Sequence, residues 1–187
     1  MSSEIDDIHD RAELVRRVAS GLRPEYLFFW GHTGTGVGKW IFSQWYPAPF
    51  VVDAVRYATA EHWMMSEKAR LFGDEEALAR ILADDDPSAA KAAGRAVRGY
   101  EDDAWCARRV GAVREGNVHK FRQNPEMGAY LLATRGRVLV EAAPRDTIWG
   151  IGLGAENPAA RDPAKWRGQN LLGFALMWTR VVLAASS

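Results

Sequence analysis

Two ionisable side chains near the middle of the chain have the spacing to do chemistry. Lys68 follows Glu61 by seven positions, a rotation about 20° short of two full turns of an α-helix. Thr59 is a good helix N-cap, and Glu61 suits the positive end of the helix dipole. We therefore predict a helix that carries both side chains on one face, about 10 Å apart along its axis. A carboxylate and an amine on a partly apolar face can serve acid–base or carbonyl chemistry. The alternative is an amphipathic helix whose charges lie at the rim of a core.

A second group of candidate residues surrounds Trp149. Glu141 and Asp146 precede this tryptophan, and Gly150 and Gly152 follow it in a glycine-rich segment. Two carboxylates can act as acid and base, or stabilise an oxocarbenium-like centre, in glycoside cleavage. Taken separately, a carboxylate at such a position is more often a strand-end or turn acid. We expect Trp149 to contact a ligand, because acids precede it and a glycine follows it.

Other tryptophans lie beside loops, where aromatic rings often stack on planar ligands. Trp30 precedes a loop that starts at Gly31, and Trp45 lies in a proline-rich stretch. The loop is not a phosphate-binding loop of the Walker type, since Lys39 is followed by Trp40 instead of serine or threonine. Its glycines still permit a close approach to a ligand.

Composition excludes several classes of protein. The 187 residues carry a formal net charge of zero, which disfavours unspecific coating of nucleic acid. One cysteine and four histidines without metal-binding spacing predict no internal disulfide, no metal site and no cofactor. The acidic N-terminus is unlike a signal peptide, and the longest apolar run is too short to span a membrane. We expect a cytoplasmic protein that does not bind a membrane.

Hydrophobic periodicity and turn residues predict one α+β domain, predominantly α-helical with a few short strands. Asn170 is expected to cap the last helix. The predicted helices cover residues 6–18, 59–72, 75–83, 87 to between 94 and 99, 101–123, 126–133 and 171–184; the predicted strands cover residues 26–30 and 138–141, with a hairpin over 50–57.

A series of short motifs resembles the NADAR superfamily (NAD- and ADP-ribose-associated proteins), which includes N-glycosidases of riboflavin-biosynthesis intermediates. The motifs run in family order from about residue 26 to residue 180, and the first 24 residues lie outside the resemblance. The glycine-rich stretch before residue 42 is longer than the family pattern leads one to expect. The motifs are FFWG at 28–31, FSQWYPAPF at 42–50, AEH at 60–62 with KA at 68–69, GN at 116–117 with KF at 120–121, LLAT at 131–134, LVEA at 139–142, Asp146 with IWGIG at 148–152, and NLLG at 170–173 with LM at 176–177 and Arg180.

The resemblance implies an N-glycosidase-like domain over residues 25–187, after an N-terminal helical extension over residues 1–24. It implies a hydrolase that cleaves an N-glycosidic bond at ribose C1. The leading substrate is ADP-ribose attached to guanine in nucleic acid, so that ADP-ribosylated DNA is a candidate partner. The alternative substrate is a phosphoribosyl-amino pyrimidine intermediate of riboflavin synthesis. A non-catalytic ADP-ribose or NAD reader, and a protein that grips a toxin, are the other classes left open. The sequence does not define the oligomeric state.

We add a mechanistic hypothesis that gives each candidate residue a role. Lys68 is the candidate nucleophile, since a desolvated lysine can attack a ribose C1 aldehyde and form a Schiff base. Glu61 would move protons or hold Lys68, and Asp146 would contact ribose hydroxyls or activate water. Trp149 would stack on the base, with the backbone of Gly150 and Gly152 against phosphate.

The remaining candidates are expected in substrate binding. Arg180 and Asn170 are candidates for orienting acids or binding phosphate, and equally for a structural role. The set is completed by Trp30, Gly31, Trp45 and Glu141.

Overall fold

The computed structural model describes residues 4–185, so the first three residues of the predicted N-terminal extension lie outside the described part. The chain divides into two compact units. Unit 1 comprises residues 4–43 and 126–185 of the described chain, and unit 2 comprises residues 44–125. The α-helices are α1 (Arg11–Ala19), α2 (Ala60–Leu71), α3 (Glu75–Leu82), α4 (Pro87–Arg95), α5 (Asp102–Gln123), α6 (Pro125–Leu132) and α7 (Leu171–Ala185). The strands are β1 (Glu25–Phe29), β2 (Phe50–Val52), β3 (Val55–Tyr57) and β4 (Arg137–Glu141). The predicted α+β class, with helices predominating and a few short strands, is confirmed.

The sheet of unit 1 consists of β1 and β4, which pair in parallel with Phe29 opposite Glu141. Val138, Leu139 and Val140 of β4 are buried without interruption, as expected for a strand covered on both faces. Helix α7 packs against β4. Three short 3₁₀ turns, Lys39–Phe42, Pro158–Arg161 and Pro163–Lys165, complete the elements of this unit.

Asn170 connects α7 to the end of β4 through its side chain. Its amide donates to the carbonyl of Leu139 and accepts from the backbone N–H of Glu141, both at 2.9 Å. The residue has φ of +56°, in the left-handed region that asparagine tolerates better than most residues. Helix α7 begins directly after it, as predicted, and the carbonyl of Asn170 accepts from the backbone N–H of Phe174 at 3.2 Å, the first bond of the helix. The side chain bonds to the strand's buried backbone groups, which need partners.

The N-terminal helix is shorter than predicted. It begins at Arg11, where the side chain of Asp10 accepts a bond of 2.7 Å from the backbone N–H of Glu13. Asp6, expected inside the helix, is buried and accepts a 2.6 Å bond from Arg180 of α7. This long-range ion pair removes residues before Arg11 from the helix, an outcome that local periodicity does not encode.

The guanidinium of Arg180 lies at the centre of this contact. Its side chain is 1% exposed, and it donates to the carbonyls of Thr134 and Arg137 at 2.6 and 3.1 Å. Burial lowers the pKa of Arg180, and the carboxylate of Asp6 acts in the opposite direction. The pair is therefore a buried charge interaction in which each partner depends on the other.

Unit 2 is built from a hairpin and four helices. Strands β2 and β3 pair antiparallel around Asp53 and Ala54, whose positive φ values of 49° and 64° give the tight turn of a two-residue hairpin. Helix α2 contacts α3, α4 and α5. A Cβ on Gly116 of α5 would overlap the ring of Trp63, so glycine permits the close approach of these two helices. None of the helices within residues 4–185 has the length and apolarity needed to cross a membrane.

Replacing Asp6 by alanine is expected to lower the free energy of unfolding by about 3–5 kcal/mol, since Arg180 would stay buried without its carboxylate. Adding Arg180→Met should recover much of that loss, because the double variant no longer buries a charge. Urea denaturation of the parent and of these two variants measures both effects. Glu126→Ala, a surface change, serves as the control and should shift the value by less than about 0.5 kcal/mol. An Asp6→Ala protein as stable as the parent would contradict this account.

Candidate active site

Glu61 occupies the first turn of α2. The side chain of Thr59 caps this turn by accepting from the backbone N–H of His62, and the N–H of Glu61 donates to the carbonyl of Gln44 at 2.9 Å. Glu61 is only 3% exposed. The partial positive charge of the helix N-terminus stabilises a carboxylate in this position. The structure thus gives Glu61 a fixed, shielded place on the helix that the sequence predicted.

A polar pair that sequence reasoning left out lies beside Glu61. The amide of Gln44, whose backbone holds Glu61, donates to Asn117 at 3.2 Å. Asn117 is fully buried on α5 and donates to the carbonyl of Val113 at 2.8 Å. Both residues belong to the NADAR-like motifs, so that signal was present in the sequence. Their bonds tie the start of α2 to α5.

Lys68 lies two turns further along α2 and is half-buried. Its Nζ stands 4.2 Å from the centre of the Tyr100 ring. The Tyr100 hydroxyl donates to Asp102 at 2.6 Å, and Phe72 packs edge-on against the same ring. These contacts fix the position of the amine above an aromatic face.

Burial lowers the pKa of Lys68, and the nearby positive charge of Arg95 lowers it further. The Tyr100 ring favours the protonated amine and offsets part of that effect. The net direction raises the fraction of neutral amine, the form that attacks a carbonyl carbon. The environment of Lys68 therefore suits the role predicted for it.

Lys120 on α5 is a second unusual amine, and sequence reasoning did not select it. It is fully buried, and this burial lowers its pKa to about 7. Its position follows Val113 and Asn117 at helical spacing, so the buried face of α5 is readable from the sequence. Lysine is rarely buried, so this position on the helix does not by itself identify a core lysine.

The candidates around Trp149 form a compact turn in unit 1. One carboxylate oxygen of Asp146 accepts from the backbone N–H groups of Ile148 and Trp149 at 2.8 and 2.7 Å. Trp149 is half-buried. A Cβ on Gly150 would meet the carbonyl of Glu141 at 2.9 Å, so glycine lets this loop lie against the end of β4. Asp146 thus holds the turn that carries Trp149.

Trp30 and Gly31 leave the end of β1. The Trp30 side chain is 66% exposed, and Gly31 has φ of +78°. Gly152, in the other glycine-rich loop, also has a positive φ, of 67°. Trp45 belongs to unit 2, where Nζ of Lys91 lies 5.4 Å from its ring centre.

The predicted site residues are thus divided between the units. Glu61, Lys68 and Trp45 lie in unit 2, and the others lie in unit 1. Among the contacts that the structure shows for Arg180 and Asn170 are the bonds to protein groups described above. The substrate-binding roles of all these residues stay predictions. No cluster of three or more histidine, cysteine, aspartate or glutamate side chains suitable for a metal occurs within the described residues.

The family of the chain follows from its similarity to known proteins. The NADAR domain model matches residues 28–184, nearly the whole of the chain. The chain belongs to the NADAR family. The resemblance stated from the motifs is therefore confirmed.

Several NADAR relatives carry informative names. The N-glycosidase R617 of Acanthamoeba polyphaga mimivirus is 40% identical over 161 residues, covering 83% of this chain and 95% of the relative. The N-glycosidase YbiA of Escherichia coli is 31% identical over 143 residues, covering 76% and 81%. The Riboflavin biosynthesis protein VVA0006 of Vibrio vulnificus is 27% identical over 138 residues, covering 74% of this chain and 34% of the relative.

The NADAR fold is also shown by a solved structure. The NMR structure of E. coli YbiA superposes with a TM-score of 0.69 at 26% identity and covers 92% of each chain. The names of the relatives confirm the predicted enzyme class, a hydrolase that acts on N-glycosyl bonds.

The buried amine of Lys120 should make stability depend on pH. Its pKa is about 7 in the folded protein, against about 10.4 in an unfolded chain. Between these values the unfolded state binds one proton more, so the free energy of unfolding should rise with pH across that window. Relative to Lys120→Met, the parent should therefore gain stability from pH 7 to pH 10, measured by chemical denaturation. The exposed Lys165→Met is the control and should show no such trend. A constant difference between the parent and Lys120→Met across the window would refute the shifted pKa.

Proposed function

We propose that this NADAR protein removes ADP-ribose from guanine bases of nucleic acid by hydrolysing the N-glycosidic bond at ribose C1. The observation that carries the proposal is the face of α2, where a shielded carboxylate and an amine of lowered pKa share one helix. An N-glycosidase needs a group that attacks or stabilises C1 and a group that manages protons. Lys68 and Glu61 supply one of each.

The chemistry that we propose runs through a Schiff base. Opening of the ribose ring makes C1 electrophilic, and the neutral amine of Lys68 attacks it. The bond from C1 to the base nitrogen then breaks, and a proton goes to the departing base, with Glu61 as the proposed carrier. Water hydrolyses the resulting imine, which releases ADP-ribose and restores Lys68. The attack on C1 uses the neutral form of Lys68, which burial favours.

Two features of unit 1 support a base-bearing substrate. Trp30 exposes its ring at the end of β1, and exposed aromatic rings are platforms for bases of single-stranded nucleic acid. The glycine-rich loop after it is held by Trp40, whose indole N–H donates to the carbonyl of Gly36 at 3.0 Å. A substrate larger than a metabolite suits this extended aromatic region. The roles of Asp146 and Trp149 in the reaction stay predictions.

The second candidate substrate is a phosphoribosyl-amino pyrimidine intermediate of riboflavin synthesis. The observation that favours it is the relative named Riboflavin biosynthesis protein VVA0006. Both candidates join a ribose C1 to a nitrogen, with phosphate nearby. One catalytic lysine therefore suits either substrate, and the leaving group distinguishes them.

A paired turnover assay tests the choice of substrate. Purified protein receives an oligonucleotide that carries ADP-ribosyl-guanine and, separately, the early riboflavin intermediate. We expect release of ADP-ribose from the oligonucleotide. Cleavage of the intermediate alone would make the protein a metabolite-clearing N-glycosidase. Binding of ADP-ribose without turnover of either substrate would favour a non-catalytic reader.

Lys68→Ala should reduce turnover at least about a thousandfold while the protein stays folded, since removing a nucleophile has effects of this size. Borohydride added during turnover should trap an adduct, and peptide mass spectrometry should locate it on Lys68. Lys165→Ala is the matched control and should react as the parent does. An adduct on Lys120, or near-normal turnover in Lys68→Ala, would overturn the proposed nucleophile.

Arg95→Met should move the acid limb of the kcat/KM profile to higher pH. The guanidinium of Arg95 lowers the pKa of Lys68, so its removal raises that pKa and leaves less neutral amine at a given pH. Arg80→Met, an exposed change on α3, is the control and should leave the limb in place. An unchanged profile in Arg95→Met would show that the acid limb does not report the ionisation of Lys68.

A further inference from the structure

A cavity of about 180 Å³ opens at the carboxyl ends of β1 and β4 in unit 1. Phe29 and Ala142, which adjoin the paired strand ends, form its apolar floor. In sheets of parallel strands, ligands bind outside this edge. The volume is below the roughly 300 Å³ of a pocket for a drug-sized ligand, so it suits a single planar group.

The walls of this cavity, which we call the Trp30 cavity, combine three kinds of contact. Trp30 supplies an exposed aromatic face, Lys39 an ammonium donor and Glu156 a carboxylate acceptor. The ion pairs found among residues 4–185 include neither Lys39 nor Glu156. Both charged groups therefore line the cavity without neutralising each other.

The backbone around the cavity is shaped to keep these groups in place. A Cβ on Gly154 would overlap the carboxylate of Glu156, so glycine allows this side chain to fold back over the loop. Cβ atoms on Gly34 and Gly38 would overlap the Trp40 ring, so the loop before Lys39 closes tightly on that ring. The acceptor thus lies in one loop, and the donor begins the 3₁₀ turn that follows the other; the close contacts of both loops require glycine.

We propose that the Trp30 cavity binds a ring whose edge carries a carbonyl, an N–H and an amino group in sequence, the edge that guanine presents. Trp30 stacks on the ring face. Glu156 accepts from the adjacent N–H and amino donors, and Lys39 donates to the carbonyl, as lysine does to guanine O6. An adenine edge offers the carboxylate one donor in place of two, and a uracil edge also offers one.

This inference deepens the proposed function and rests on it for its consequence, because guanine, the base of the leading substrate, carries this edge. An amino-oxo-pyrimidine ring carries the same edge as guanine. The cavity would therefore recognise a feature common to the two candidate substrates, and selection between them would come from other groups.

Calorimetric titration with free nucleotides tests the cavity without requiring turnover. The parent protein should bind GMP about tenfold or more tightly than IMP, which lacks the amino group. Glu156→Gln should reduce that ratio to near one, and Lys39→Met should weaken both ligands. Trp30→Ala should weaken both, with partial recovery in Trp30→Phe. Lys165→Met and Glu126→Gln are charge-matched controls and should bind as the parent does.

The result that overturns the proposal is equal binding of GMP and IMP by the parent, absence of GMP binding, or parent-like titrations in all three cavity variants. Titration of an aminopyrimidinone ribotide beside GMP compares the pyrimidine ring of the second candidate substrate with guanine. Binding of both rings supports the shared edge, and a ribotide that fails to bind overturns it. A failed turnover assay leaves these titrations interpretable, so the cavity and the proposed reaction stand or fall separately.

Discussion

The parallel ladder between β1 and β4 is the interaction on which unit 1 depends, and all of unit 2 lies between these strands in the sequence. The register that sets Phe29 opposite Glu141 places Trp30 and Ala142 at one edge. From there the carbonyl of Glu141 accepts from the N–H of Ile151 at 2.9 Å, which draws in the second glycine-rich loop. The amide of Asn170 bonds to the same strand and sets the start of α7. A change in that register would move every one of these groups.

Unit 2 contains two lysines, Lys68 and Lys120, whose pKa values are lowered by burial, and the two are buried to different degrees. Lys120 is fully buried, whereas Lys68 is half-buried above an exposed tyrosine ring. A nucleophile must combine a neutral amine with access for the substrate, and deep burial supplies the first condition at the expense of the second. This difference favours Lys68 for chemistry and suits Lys120 to a place inside the unit.

Much of this fold could be predicted because its signals are local. Thr59 and Gly73 bound α2, and Asp74 caps α3, since capping side chains and left-handed glycines act on neighbouring residues. The same helical period placed Glu61 and Lys68 on one face.

The features that the sequence did not predict depend on long-range contacts. Asp6 lies outside its predicted helix and pairs with Arg180, and the side chain of Asn170 bonds to β4. Burial of Lys120 depends on the tertiary packing around α5, whereas the helical period indicates only that this residue lies on the buried face of the helix. Lys39 and Glu156 line one cavity because two strands that are distant in the sequence pair with each other. The spacing of these residues in the sequence does not predict this.

The ladder of unit 1 also has a consequence for the protein on the ribosome. At roughly 5–20 residues per second, about 5–20 s pass between the synthesis of Phe29 and the arrival of Arg137. During that interval β1, with Leu27, Phe28 and Phe29 in succession, has no partner strand, and unpaired apolar strands are prone to associate with other chains. Unit 2, which comprises residues 44–125, is synthesised completely within the same interval. The nascent chain is therefore most exposed to aggregation, and to chaperone capture, before β4 emerges.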